Sequence, residues 1–401
     1  MSGSGEGTSA ATRLVAAGRR PEWTGPAVNP PVWRTSTHLY ADSADLARGR
    51  PNEDGQFYYG RRGTPTQWAL ADALTGLEPG AEGTLLYPSG VAAIAGALIG
   101  LLDSGEVLLM ADNIYAPSRA MAAGLLAPLG IETRFFDPLD PPGFAALFCE
   151  RTRAVLLESP GSNTMEVCDV PALAAIARER GAAVLVDNTW AGPLNFPALA
   201  RGCDVSVMSL TKHVGGHSDL MMGAVTARAP FHARLRLRAQ MLGQVVSPDD
   251  AALALRGLRT MGLRLERQAA SALALAGWLA QRPEVAHVLC PMLPGAPGHD
   301  LWRRDFAGGC GLFSFVLAGR SPADRARLID ALTLFGIGFS WGGFESLVIG
   351  FDPGSIRTVT QWPPPGWRRE DRLGIRLSIG LEDPGDLIAD LDRAFAAMGA
   401  A

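Results

Sequence analysis

Lysine is almost missing from this 401-residue chain: of 36 basic residues only Lys212 is a lysine, and the others are arginines. A guanidinium stays protonated in any protein, whereas a buried amine can lose its proton and attack a carbonyl. The general scarcity fits a drift in base composition that also favours Ala and Gly, but drift does not explain the one position where it stopped. Excess charge is lacking too. Forty acidic residues bring the net charge to −4, which leaves no basic footprint for nucleic acid or an anionic membrane. Cys149, Cys168, Cys203, Cys290 and Cys310 form no C-x-x-C pair and are odd in number, so reduced thiols in a cytoplasmic protein are expected. The longest apolar run, "VAAIAGALIGLL" at 91–102, is too short to span a bilayer, and no targeting segment is visible.

Several common active-site patterns are missing as well. Thr211 rather than Gly precedes Lys212, which excludes a Walker loop; no G-x-G-x-x-G follows a strand, no G-x-S-x-G elbow occurs, and the six histidines show no H-E-x-x-H spacing. Nicotinamide, serine-hydrolase and zinc-hydrolase chemistry lose their usual signatures, and no metal site is expected.

What is present from about 65 to 228 is an alternation of short apolar runs and helical stretches. "TLLY", "EVLLMAD", "IETRFF", "RAVLLES", "AAVLVDN" and "DVSVMS" read as strands, and "VPALAAIARERG" as a helix closed by Gly. Near-continuous apolar strands between helices predict an α/β domain with a mostly parallel sheet covered on both faces. A long helical region at about 249–282 leads into "GLFSFVL", a helix from about 322, "GIRLSIG" and a last helix to about 398, the pattern of a smaller α+β domain. Boundaries are placed at 60/61 and 258/259. Residues 1–60 show little periodicity and read as an arm that packs on another subunit, with the small, polar first ten residues disordered.

Candidate chemistry lies at strand ends, where open α/β sheets place ligands. Gly90 and Val91, in "YPSGV", open a helix whose backbone N–H groups suit an anion; the same stretch also reads as an ordinary helix capped by Ser89. "YYGRRGT" offers an arginine and tyrosine clamp for phosphate or a solvated basic turn. Asp187 closes an apolar strand, either as a cap or as the partner of a protonated pyridine nitrogen. A sole lysine, a strand-end Asp, a phosphate-ready helix start and the hydroxyls of Ser209 and Thr211 together suggest pyridoxal 5′-phosphate (PLP).

"FYYGRRGTPT", "DNIYAPS", "LESPGSNTMEVCDVP", "VDNTWAGP", "SLTKHVGGHSD", "GLRTMGLRL", "GGCGLFSFVL" and "FSWGGFESL" resemble, in order and spacing, the Cys/Met-metabolism family of fold-type I PLP-dependent enzymes, from about residue 12 to the end. That resemblance implies a large PLP-binding domain with a seven-stranded sheet at 61–258, a small domain at 259–401, and a homotetramer built from two dimers. It implies that Lys212 carries the cofactor and acts as catalyst and that Tyr115 stacks on the ring and takes part in catalysis. Asp187 would pair with the ring nitrogen, and Gly90, Val91, Ser209 and Thr211 would hold the phosphate, joined by Tyr59 and Arg61 of a neighbouring subunit. Arg376, with Ser340 and Trp341 nearby, would grip the substrate α-carboxylate. "YAPS" and "SWGG" are similar to the β-eliminating members, so the implied activity is cleavage of L-cystathionine to homocysteine, pyruvate and ammonia. A carbon–sulfur lyase acting on cysteine, cystine or an S-conjugate, γ-elimination, or a non-catalytic regulator are the alternatives. Two departures stand out: Ser162 occupies a position where many members have Asn, with Asn163 one residue later, and Gln240 stands where an aromatic is expected.

Overall fold

The apolar runs read as strands do form strands, and in the central ones odd and even residues are both buried, whereas the run at 91–102 forms a helix. The computed structural model describes residues 8–53 and 55–399. Strands β1 (Gly83–Tyr87), β2 (Val107–Ala111), β3 (Glu132–Phe136), β4 (Thr152–Glu158), β5 (Ala183–Asp187), β6 (Val205–Ser209) and β7 (Gly223–Ala227) form a seven-stranded sheet in the order β1-β7-β6-β5-β4-β2-β3. Only β7 runs antiparallel to its neighbours. Alternate residues feed two layers of core: Leu108, Met110, Leu156 and Leu185 pack with Ile94 and Leu98 on one face, while Leu109, Val155, Leu157 and Val184 pack with Leu70 and Leu74 on the other.

The helices begin and end where local chemistry permits. Pro65–Leu77 starts with Pro behind a Thr64–Gln67 capping box, and Val170–Glu179 starts at Asp169, whose side chain accepts from the Ala172 N–H. Helix Gly90–Leu101 is rich in small residues because it lies close to the sheet; a Cβ at Gly96 would sit 2.3 Å from the Tyr87 ring.

The second half forms a five-stranded sheet from β8 (Val285–Leu289), β9 (Leu312–Leu317), β10 (Gly336–Ile337), β11 (Leu347–Phe351) and β12 (Gly374–Ser378), in the order β10-β11-β12-β9-β8. All its pairings but β10–β11 are antiparallel. Helices Met261–Leu279 and Pro322–Asp330 pack on this sheet, and Pro384–Gly399 packs on both helices. The expected long helix at 249–282 is two helices, Pro248–Arg259 and Met261–Leu279, because Thr260 leaves helical geometry at φ −107° and ψ 6°. Among the described residues no helix is long and apolar enough to cross a membrane.

The start of the chain departs from expectation. Ser9 caps a helix from Ala10 to Ala16, and short helices Pro21–Thr24 and Ser43–Arg48 follow. Arg259 donates to the carbonyls of Leu14 and Ala17, so the first helix is fastened to the body of the chain. Of the ten residues expected to be disordered, 1–7 lie outside the described residues, and Ser9 caps the helix that starts at Ala10.

Candidate active site

The ends of β4, β5 and β6 and the loop before β11 converge on a cavity of about 360 Å³. Most of the residues singled out in the sequence line it: Gly90, Val91, Tyr115, Asp187, Ser209, Thr211, Lys212, Ser340, Trp341 and Arg376. Ser162, Asn163 and Glu158 join them.

Lys212 follows β6 by three residues in a tight turn, where its N–H bonds to the Ser209 carbonyl and its carbonyl accepts from Gly216. Its Nζ donates to Ser340 Oγ at 2.7 Å and lies 5.4 Å from the centre of the Trp341 ring. Burial, reinforced by the Arg376 charge and opposed by Asp187, lowers the amine to about 8. Next to it, burial presses the His213 imidazole down to about 3, so this ring is neutral, and its Nε2 lies 3.1 Å from the Trp190 carbonyl. The loop carrying Ser340 must lie flat on the lysine turn: a Cβ at Gly342, whose φ is +80°, would approach His213 Nδ1 to 3.1 Å.

Asp187 ends β5, buried but bordering the cavity. Thr189 donates to its Oδ1 from both its backbone N–H (3.0 Å) and its hydroxyl, and that hydroxyl accepts from the Ser209 N–H at 2.9 Å. Burial raises the Asp187 carboxyl, while the Thr189 bonds and the Lys212 charge favour its ionised form. A cationic ring nitrogen in the cavity would add to those opposing forces.

Glu158, which sequence reasoning missed, faces Asp187 across the β4–β5 register. Burial and the neighbouring Asp187 push it well above the usual carboxylate range, and its Oε2 accepts from the Tyr115 N–H at 2.7 Å. It fixes the backbone from which Tyr115 enters the cavity. Its signal was available: "RAVLLES" ends in a charge as "AAVLVDN" does.

At the opposite wall the first turn of helix Gly90–Leu101 lies against Ser209. Ser89 Oγ accepts from the Ala92 N–H and the Ser89 carbonyl from Ala93, so the serine caps the helix, while the Gly90 and Val91 N–H groups, without intrahelical acceptors, border the cavity. A Cβ at Gly90 would come within 2.7 Å of the Ser209 Cβ, so the backbone reaches this position only as glycine. Thr211 is fixed by an exchange with Met222, accepting from its N–H at 3.0 Å and donating to its carbonyl at 3.2 Å. A helix start, two hydroxyls, a strand-end carboxylate and an amine fit a phosphorylated pyridine aldehyde.

Arg376 lies in β12 between the buried Ile375 and Leu377. Its Nη1 donates to Asn163 Oδ1 at 3.2 Å and its Nη2 to the Ser340 carbonyl at 3.1 Å. Burial lowers the guanidinium, but a delocalised cation of this kind stays charged at neutral pH. Asn163 is thus engaged by the arginine, which gives the residue beside Ser162 a partner that its sequence position does not suggest.

Tyr59 and Arg61 are not brought to this cavity. Tyr59 is 45% exposed and bridges to Thr37, while Arg61 Nη1 donates to the Gln240 carbonyl at 2.8 Å beside a second cavity of about 270 Å³. Gln240 also lies there, exchanging amide hydrogen bonds with Asn52 at 3.0 and 3.1 Å. Within one chain it therefore does not border the space around Lys212.

The family pattern described as Cys/Met metabolism PLP-dependent enzyme matches residues 11–396. A putative cystathionine beta-lyase of Rhizobium johnstonii is 45% identical over 97% of this chain and 96% of its own length. Cystathionine beta-lyase MetC of Escherichia coli is 43% identical over 96% and 98%. The crystal structure of metB from Corynebacterium glutamicum superposes with a TM-score of 0.87 at 27% identity, covering 98% of both chains. With its strand-end residues gathered around one amine and the family pattern spanning nearly its whole length, the chain belongs to the Cys/Met-metabolism family of PLP-dependent enzymes.

Proposed function

We propose that this enzyme is a carbon–sulfur lyase that cleaves L-cystathionine by β-elimination and, with uptake of one water, yields homocysteine, pyruvate and ammonia, with PLP carried on Lys212. The observation that carries the reading is the chain's one lysine, at 2.7 Å from Ser340 Oγ, in the same cavity as Asp187, Tyr115 and Arg376. When bound, PLP supplies a conjugated ring that draws electrons from the Cα of the amino acid joined to it. Asp187 would hold the ring nitrogen, Tyr115 would cover the ring face, and the N–H groups of Gly90 and Val91 with the hydroxyls of Ser209 and Thr211 would hold the phosphate.

Arg376 binds the α-carboxylate and, through its bond to the Ser340 carbonyl, shares that residue with Lys212. The Lys212 amine would take the Cα proton on Nζ and return a proton to the sulfur as the Cβ–S bond breaks. Arginine fills neither role, because it has no proton to lose near neutral pH. Tyr59 and Arg61 are proposed to serve the phosphate site of a second subunit within a homotetramer. Five free cysteines support a reducing, cytoplasmic setting.

Identification of the released keto acid by mass spectrometry tests the reaction. Pyruvate with homocysteine is the expected pair; 2-oxobutyrate with cysteine would replace β- by γ-elimination. The pH profile tests the base. Since the neutral amine fraction of Lys212 grows as pH rises through about 8, kcat is expected to climb to a plateau there and to drop about tenfold per unit well below it. A rate that is flat from about pH 6.5 to 9 would remove Lys212 from this step.

A further inference from the structure

The segment between β11 and β12 carries the Pro-rich run "QWPPPGW", and just before that run it is bolted to the catalytic edge of the other sheet. Asp112, the residue after β2, is the bolt. Its buried carboxylate accepts from the N–H groups of Thr358 (3.2 Å), Val359 (3.1 Å) and Thr360 (2.7 Å), from both threonine hydroxyls (3.3 and 2.7 Å), and from Arg119 Nη1 at 2.7 Å. This brings in Arg357, whose side chain is 6% exposed.

Arg357 meets Glu166 at 2.8 Å and donates to Thr164 Oγ1 at 2.5 Å, while that hydroxyl donates to Glu166 Oε2 at 2.6 Å. The three groups close around a turn in which Asn163 (φ +66°) and Met165 (φ +59°) both adopt left-handed backbone. Non-glycine residues stay in that region only where their surroundings hold them. Asn163 Oδ1 in turn accepts from Arg376 Nη1.

We infer that Arg357 is a positioning residue: by clamping the Asn163–Glu166 turn it fixes the direction of Arg376, and so sets the enzyme's selectivity for an α-carboxylate. The inference rests on the proposed role of Arg376 as the carboxylate grip. Arg357 lines no part of the Lys212 cavity and touches neither cofactor nor substrate in this scheme. Misaiming a bidentate donor by a fraction of an ångström weakens carboxylate binding while leaving cofactor and base in place.

The test compares two ligands that differ only by that group, L-alanine and ethylamine, titrated against the cofactor absorbance of the holoenzyme. In Arg357→Met the affinity ratio is expected to fall about tenfold, with KM for the thioether up about tenfold and kcat within about twofold. Arg357→Lys is expected to retain most of the ratio. If Arg357→Met does not fold, Thr164→Val removes the hydroxyl that joins Arg357 to Glu166 while leaving their ion pair, and is expected to lower the ratio about threefold. An unchanged ratio in a folded, cofactor-loaded variant overturns the inference. A ratio near one in the unmutated enzyme would instead overturn the carboxylate role of Arg376 itself.

Discussion

Lys212→Arg is expected to fold, to take up no cofactor covalently and to lose lyase activity by at least about 10⁴-fold. The reasons are separable. Lys212 makes one side-chain hydrogen bond, to Ser340 Oγ, and arginine can reproduce a donor there, so the surrounding turn keeps its backbone bonds. What arginine cannot reproduce is a neutral nitrogen: burial and Arg376 bring the amine down to about 8, within reach of working pH, whereas a guanidinium remains a cation. Circular dichroism and a melting curve check the fold; absorbance after incubation with PLP and pyruvate release check the chemistry. Activity within about tenfold of the parent would take both the anchor and the base away from Lys212.

Arg376→Leu should lower kcat/KM by about 10² to 10³, chiefly through KM, while cofactor absorbance is retained. Of the five N–H donors on this guanidinium, one goes to Asn163 and one to the Ser340 carbonyl, which leaves donors for a carboxylate. Leucine suits the local pattern, since Ile375 and Leu377 on either side are buried, so the loss should not be one of folding. A second readout separates binding from damage. The Arg376 charge disfavours the protonated form of Lys212, so removing it raises the lysine, and the acid limb of the pH profile should move to higher pH. A loss below about tenfold with an unmoved limb would assign the carboxylate to another residue.

The parallel strands were legible because burial on both faces writes them as apolar runs, and Lys212 and Asp187 because each breaks such a pattern at a strand end. Strand β7, "GAVTA", escaped because Gly, Ala and Thr carry little apolar signal, although it too is buried throughout. Strands β8 and β11 are only partly buried, and their short runs lie between loops. Within the site, Glu158 hid inside a strand that already had an explanation. The Asn163 contact depends on a left-handed turn and on residues about two hundred positions later, neither of which is written locally. Ser340 (φ +86°) is another such case: only the fold places its hydroxyl on Lys212 and its carbonyl on Arg376.

A single ε-amine, set in the wall of the catalytic cavity, also fixes how this protein meets reactive chemicals and modifying enzymes. Amine-directed acylation or reductive alkylation finds one side-chain target, and if Lys212 carries the cofactor as proposed, a seated cofactor would shield it. The other basic side chains are arginines, so lysine-directed reagents find no second side chain to modify. Any side-chain amine adduct on this chain therefore reports the state of its catalytic cavity.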